Sequence, residues 1–376
     1  MLYAVLMLWN ERWKFMPAIL AVAVSAVLVS IQFGLLAGTL SFTSQVIDRS
    51  SADIWIGCKD VPSIDAAMPV PESWRARFGG LPAVSANESL LYGFAACSLD
   101  AGGTAICCVV GSALGGAATG RVAGLTPENA ARLAAPLTVV VDEGDLVRLG
   151  LTTGVGESIK VTQCRLRVVG TTRGYKSIGG PFVFCSRATA RRLLPMYAGS
   201  PGDASFWLVR CRDEASVPEV VRTLRERYDD MAVITRDEFS ASTQRYWLTR
   251  SKAGIAMGFT AFLALLVSLV ITSQTLYSAT MASIKQFATL AALGFSRWKL
   301  GQLVLYQAFL VGLFGLMLAL PLDFGAARLV GLIGGKVLLP GWLIVGTIIM
   351  TMVTAIQAGL WALKSLRHIE PISLLR

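Results

Sequence analysis

The residues of this chain that could do chemistry are few and unevenly placed. Seven cysteines, Cys58, Cys97, Cys107, Cys108, Cys164, Cys185 and Cys211, all lie between positions 58 and 211, while the single histidine is His368. A thiol nucleophile or a thiolate metal site needs a base or further ligands nearby, and the sequence offers no C-x-x-C and no second imidazole. Cys107 and Cys108 remain the candidates for a thiol-based reaction. The run DEGDLVRLGL (142–151) places three acids in four positions. It reads either as a divalent-cation loop or as a solvated turn opening a short helix, and no further ligand spacing supports the first. H-E-x-x-H and G-x-S-x-G are absent. The stretch VGLIGGKV (330–337) approaches a phosphate-cradling loop but has Val330 for the first Gly and Val337 for the Ser or Thr. No metal, bound cofactor or catalytic residue is implied. The chain is not expected to bind ATP itself.

The elements that must carry these residues are set by hydropathy. Of 376 residues, 54% are hydrophobic and 15% charged, the balance of an integral membrane protein. Four stretches lack Asp, Glu, Lys and Arg for longer than the roughly 20 residues that cross a bilayer: 15–47, 253–284, 300–322 and 337–363. The apolar core of the first is too long for the h-region of a signal peptide, so it is expected to stay as a helix. With ionisable residues missing from all four, Gln274, Gln302, Gln307 and Gln357 are expected to bond between helices.

Between the first two spans lie some 210 residues of ordinary polarity. Strand-like runs such as DIWIGC (53–58), TAICCVVGS (104–112) and GPFVFCS (180–186) alternate there with helical patterns at 126–136, 186–195 and 216–230. The predicted fold is an α-helical membrane protein with four transmembrane helices and a large α+β extracytoplasmic domain inserted between the first and second.

The expected boundaries follow. Residues 1–14 form a cytoplasmic interfacial helix, and 15–47 the first transmembrane helix with a stalk. Residues 48–236 form the periplasmic α+β core domain, and 237–281 a second stalk running continuously into the second helix. Residues 282–297 form a short amphipathic helix, 298–322 and 337–363 the last two spans, and 364–376 a cytoplasmic tail. Lys and Arg near the span ends favour both termini inside: Arg12, Lys14, Lys285, Arg297, Lys299, Lys364, Arg367 and Arg376 against Glu11 and Glu370. The net charge of +10 does not mark a nucleic-acid protein, since residues 40–252 hold 24 basic and 21 acidic residues and much of the rest flanks membrane helices.

In ASIKQFATLAALGFSR (282–297), Ile284, Phe287, Leu290, Ala291 and Gly294 recur at three- and four-residue spacing and make one apolar side. Periodicity alone fits equally a helix that joins two spans and one that docks a partner. The residues themselves say more. KQFATLAALGFSR before an apolar span, with HIEPISLLR (368–376) at the end, resembles the FtsX-like, MacB-type permeases of ABC transporters. DRSSADIWIG (48–57) and GGPFVF (179–184) resemble the DevC-like branch of that family.

The resemblance implies that 282–297 is a coupling helix seated in a separate ABC ATPase subunit, with Phe287, Leu290, Leu293 and Gly294 matching its apolar part and Lys285 and Arg297 its basic ends. Gln286 stands where an acid is usual and Ala291 where a base is often found, each removing one salt bridge of about 0–1 kcal/mol. It further implies a second permease protomer, a periplasmic adaptor of the membrane-fusion type, an inner-membrane location, and export or extraction of a lipid, lipoprotein or amphipathic small molecule by mechanotransmission. The alternative is an FtsX-like regulator that drives a periplasmic partner without moving a substrate. A membrane-anchored thiol enzyme is the reading from outside the family.

Overall fold

The computed structural model describes residues 12–366 apart from 100–102, 115–117, 121–124, 198–201, 284–285, 287–288, 291–292, 294 and 333–334. In chain order the main elements are α1 (Arg12–Thr43), β1 (Ile54–Cys58), β2 (Val84–Ser98), β3 (Thr104–Ser112), α2 (Pro127–Leu133), β4 (Thr138–Asp142), β5 (Ser158–Val161), β6 (Cys164–Thr172), β7 (Phe182–Ser186), α3 (Arg187–Leu193), β8 (Phe206–Cys211), α4 (Val217–Arg227), β9 (Met231–Thr235), α5 (Arg236–Arg250), α6 (Lys252–Ala282), α7 (Arg297–Leu332) and α8 (Gly341–Leu366). They fall into two compact units, Met1–Thr39 with Lys252–Arg376, and Leu40–Ser251.

The first unit is helical. Trp13–Thr43, Lys252–Ala282, Trp298–Leu332 and Gly341–Trp361 are each long and apolar enough to cross a bilayer. They meet through small residues: a side chain at Gly315 would overlap Val22 of α1, and one at Gly359 would overlap Ala308 of α7. Phe15, Val22, Leu276, Val311, Ala355 and Ala358 share one buried cluster. Hydroxyls make polar links between helices. Ser268 Oγ donates to the Ser25 carbonyl at 3.1 Å, and Ser30 Oγ lies 3.5 Å from Thr347 Oγ1. Of the glutamines expected in that role, Gln307 is buried, Gln357 is half-buried, and Gln274 and Gln302 face outward.

The helix ends depart from the charge-free windows. The first helix stops at Thr43, and Gln45–Asp48 forms a separate turn. The third does not end at 322 but runs to Leu332, carrying Asp323 and Arg328 that were expected in a loop. A charge closes a hydropathy window without closing a helix, and AARL (326–329) consists of strong helix formers. Asp323 is only 6% exposed. Counted from Trp298 at 1.5 Å per residue it lies about 37 Å along, past a hydrocarbon core of about 30 Å. The fourth helix starts at Gly341, just after Pro340, not at 337. Residues 335–340 are non-helical and lie along α1, where the Leu338 N–H donates to the Gly34 carbonyl at 3.0 Å. Any side chain at Gly34 or Gly38 would overlap this segment. The continuous helix expected across 237–281 is interrupted: Ser251 has φ −84°, ψ 140°, and its hydroxyl bonds the Trp247 carbonyl at 2.7 Å. Side-chain competition of this kind is how serine ends helices. Residues 1–11 and 367–376 lie outside the described residues.

The second unit turns on β2. From Val84 to Leu90 it pairs with β8, beyond which lie β1 and β9; from Leu91 to Ser98 it pairs with β3, and Cys97 and Ser98 also pair with β5. Through β7, β4 and β6 the second set closes, so β2-β3-β7-β4-β6-β5 is a ring of six strands. Alternate residues fill the inside, among them Leu91, Cys107, Val139, Val161, Leu166 and Val183. Outside the ring, Trp55, Phe206 and Phe239 pack with centroids 5.3 to 5.5 Å apart. Thr126 and Ser186 cap α2 and α3 through their hydroxyls, and Thr235 with Glu238 forms a capping box on α5. The chain segments entering and leaving this unit are tied together, Gln244 Nε2 donating to Ser44 Oγ at 2.9 Å.

The acidic run at 142–145 is not a solvated turn. Asp142 is buried, its carboxylate accepting the Gly144 and Tyr175 N–H groups at 2.9 and 2.8 Å. Asp145 is buried too and accepts from Arg148 Nη1 at 3.0 Å, while the exposed Glu143 pairs with Arg173. These acids hold the loop 173–177 to the end of β4.

Two outcomes follow. Asp142→Ala strands two N–H groups, one of them buried, and should cost about 2 kcal/mol, read as a lowered thermal midpoint of the purified protein. Gly38→Leu should push residues 335–340 off α1, and trypsin cleavage after Lys336, slow in the native protein, should become rapid in the variant.

Candidate functional site: the segment joining α6 and α7

Residues 283–296 connect two membrane helices with little chain, so every backbone group must be settled locally. The Gln286 N–H donates to the Ser283 carbonyl at 3.1 Å, and Leu293 N–H to the Thr289 carbonyl at 3.0 Å, the four-residue step of a helix. The Phe295 N–H reaches back five residues to the Leu290 carbonyl at 3.1 Å, the bond that closes a helix C-terminus in a Schellman motif. Ser296 then opens α7, accepting the Lys299 N–H on its hydroxyl at 3.4 Å. A short helical turn with its own stop and a fresh cap is what separates α6 from α7.

The predicted site residues divide. Leu290 is 8% exposed and is tucked into the chain, whereas Leu293 is 73% exposed. The two do not share a face. Arg297 is the first residue of α7. Lys285, Phe287 and Gly294 lie outside the described residues. Two residues that the sequence reading passed over stand beside Leu293: Phe295, 49% exposed, and Trp298, 75% exposed. Their signal was present, since a large apolar residue next to a cap serine has no core to enter when the helix behind it is already apolar all round.

The other chemical candidates resolve differently. Cys107 and Cys108 are fully buried, and burial pushes both thiols up to about 12. A thiol so held is protonated and inert as a nucleophile. Asp65 is raised by burial although Tyr92 and Trp247 both donate to it. It is a buried strut joining β2 to α5. Gly335, from the near-phosphate-loop motif, donates its N–H to the Val330 carbonyl and begins the segment laid along α1.

Comparisons with known proteins give the family. A model described as MacB-like periplasmic core domain matches residues 16–227, more than half of the chain, and one described as FtsX-like permease C-terminal matches 258–371. Among solved structures, the periplasmic region of MacB from Actinobacillus actinomycetemcomitans is similar at 12% identity and a TM-score of 0.34, covering 52% of this chain and 94% of that one. The extracellular domain of the noncanonic ABC-type transporter YknZ from Gram-positive bacteria is similar at 11% identity and a TM-score of 0.34, covering 48% and 98%. A search of curated proteins finds no match. With an α+β extracytoplasmic domain set between its first and second membrane helices, the chain belongs to the FtsX-like, MacB-type family of ABC transporter permeases.

Proposed function

We propose that this chain is the permease subunit of an ABC transporter, coupling ATP hydrolysis on a separate ATPase subunit to export or extraction of a lipid, lipoprotein or amphipathic small molecule by mechanotransmission. The observation that carries the reading is the exposure of Leu293, Phe295 and Trp298 on the short joining segment, inside the stretch matched by the permease model. Leu293 and Phe295 precede the span that begins at Trp298, and apolar side chains left in water there forfeit roughly 25 cal/mol per Å2, which a partner's groove recovers. Leu293, with Phe287 and Gly294, supplies the apolar part of that seat, and Lys285 and Arg297 flank it. Leu290 serves by holding the turn to its own chain.

In this reading the termini are cytoplasmic, residues 40–251 are periplasmic, and two protomers face each other across the bundle. ATP-driven closure of the ATPase dimer moves the joining segments, and α6 passes the motion outward. A periplasmic adaptor of the membrane-fusion type, as in the DevC-like branch, completes the complex. Asp323 does not argue for a charged route through lipid, because its place on α7 falls beyond the hydrocarbon thickness.

The test is magnesium-dependent ATPase activity that co-purifies with the tagged protein from its native membrane. Leu293→Asp changes an exposed residue, so the thermal midpoint should hold while co-purified activity falls about tenfold or more. Native protein that is folded but carries no ATPase, or a variant that retains all of it, overturns the reading.

A further inference from the structure

The outer face of the six-strand ring is covered along β4 and β7 and at Tyr92, Cys108 and Val110 of β2 and β3, but open from Phe94 to Ser98 on β2, at Thr104 and Ile106 on β3, and at Lys160, Arg165 and Arg167 on β5 and β6. Lys160 on β5 stands directly opposite Arg165 on β6, and Arg167 lies on the same face two residues further on. Their neighbours on the other face, Ile159, Val161, Leu166 and Val168, are all buried in the ring, which fixes the three cations as outward. Among the described residues none of the three makes an ion pair or a side-chain hydrogen bond. Like charges directly opposite one another weaken a sheet. A fold that keeps such a row unpaired gives up stability at that place.

The same face continues without a break onto β2 and β3. Ser98 pairs with Lys160 and carries a hydroxyl into the cation row. One row away Ile106, opposite Ala96, is 59% exposed, and Phe94 on the next row is 42% exposed. From Ile106 to Arg165 is three strand spacings and one row along the strands, about 16 Å. An apolar strip thus borders a cation strip on one rigid sheet.

We propose that this face binds a single amphiphile with a phosphate-bearing headgroup, the phosphate on Lys160, Arg165 and Arg167 and the acyl chain against Phe94 and Ile106. Two guanidinium forks and an ammonium suit a dianionic phosphate better than any neutral headgroup. The binding does not depend on residues 282–297 and is measured with no ATPase present, so it stands or falls apart from the coupling reading.

The experiment uses the full chain in neutral maltoside detergent and two photoreactive probes with the same diazirine acyl chain, one on a lysophosphatidic acid headgroup and one on lysophosphatidylcholine. Peptides containing Phe94 or Ile106 are read by mass spectrometry after irradiation. Labelling there should favour the phosphatidic probe and fall about tenfold in the Lys160→Gln, Arg165→Gln, Arg167→Gln variant, whose thermal midpoint should be unchanged or raised once the opposed charges are gone. Equal labelling by both probes, or labelling that survives the triple substitution, overturns the site. Displacement of the probe by an equal concentration of inorganic phosphate would assign the face to a bare anion and overturn the amphiphile.

Discussion

Hydrocarbon offers a peptide group no hydrogen-bond partner, and the division of this chain into two units follows from that. Helices and closed barrels alone can pass through lipid with every N–H and C=O satisfied. The four long helices therefore share one unit, and among the described residues the strands lie within Leu40–Ser251. The described exception inside the helical unit shows the rule working. Residues 335–340 lie unwound on α1, and their N–H group at Leu338 is met by the Gly34 carbonyl, a contact that only glycines at 34 and 38 leave room for. Small residues on a membrane helix here admit an extended segment of the same chain, where they would otherwise admit another helix.

The outer unit meets a different demand, which is to stay rigid while tied to the membrane by two segments. β2 belongs to both of its sheets, so neither can shift without the other. The entering and leaving segments are joined at Ser44 and Gln244, and Asp65 ties β2 to α5 through Tyr92 and Trp247. Between α5 and α6 the helical hydrogen-bond ladder lapses at Ser251. A bend or twist applied to α6 would therefore be taken up first at that residue, because one extended residue between two helices is softer than either helix.

Much of this was legible in the sequence. Charge-free length marked four helices, and period-two runs next to capping patterns marked the inserted domain, because both signals are local. The helix ends were not legible. Asp323 closed the window over the third span while the backbone continued to Leu332, and Ser251 broke a helix whose apolar pattern ran straight through it. The closed ring could not be read from strands alone, since it depends on β3 pairing with both β2 and β7, partners far apart in the chain. At the joining segment, the family resemblance grouped Leu290 with Leu293 as one apolar seat. The structure buries the first and exposes the second, a difference in tertiary surroundings that a residue count does not contain.

The cysteines show how burial decides chemistry that composition leaves open. An odd number of thiols in an extracytoplasmic domain invites disulfide exchange, which proceeds through thiolate. Cys97, Cys107 and Cys185 fill the interior of the ring, where burial raises the second and third of them well above the ordinary thiol range. Cys108 is as deeply placed on the outer side, beneath the Ser177 hydroxyl. With the thiolate form suppressed and solvent excluded, Cys107 and Cys185 act as small apolar groups in a ring interior crowded with valine. Cys58 and Cys164, half exposed, are the thiols that an oxidant would reach first. Burial thus withholds Cys107, Cys108 and Cys185 from thiol exchange and leaves that chemistry to Cys58 and Cys164.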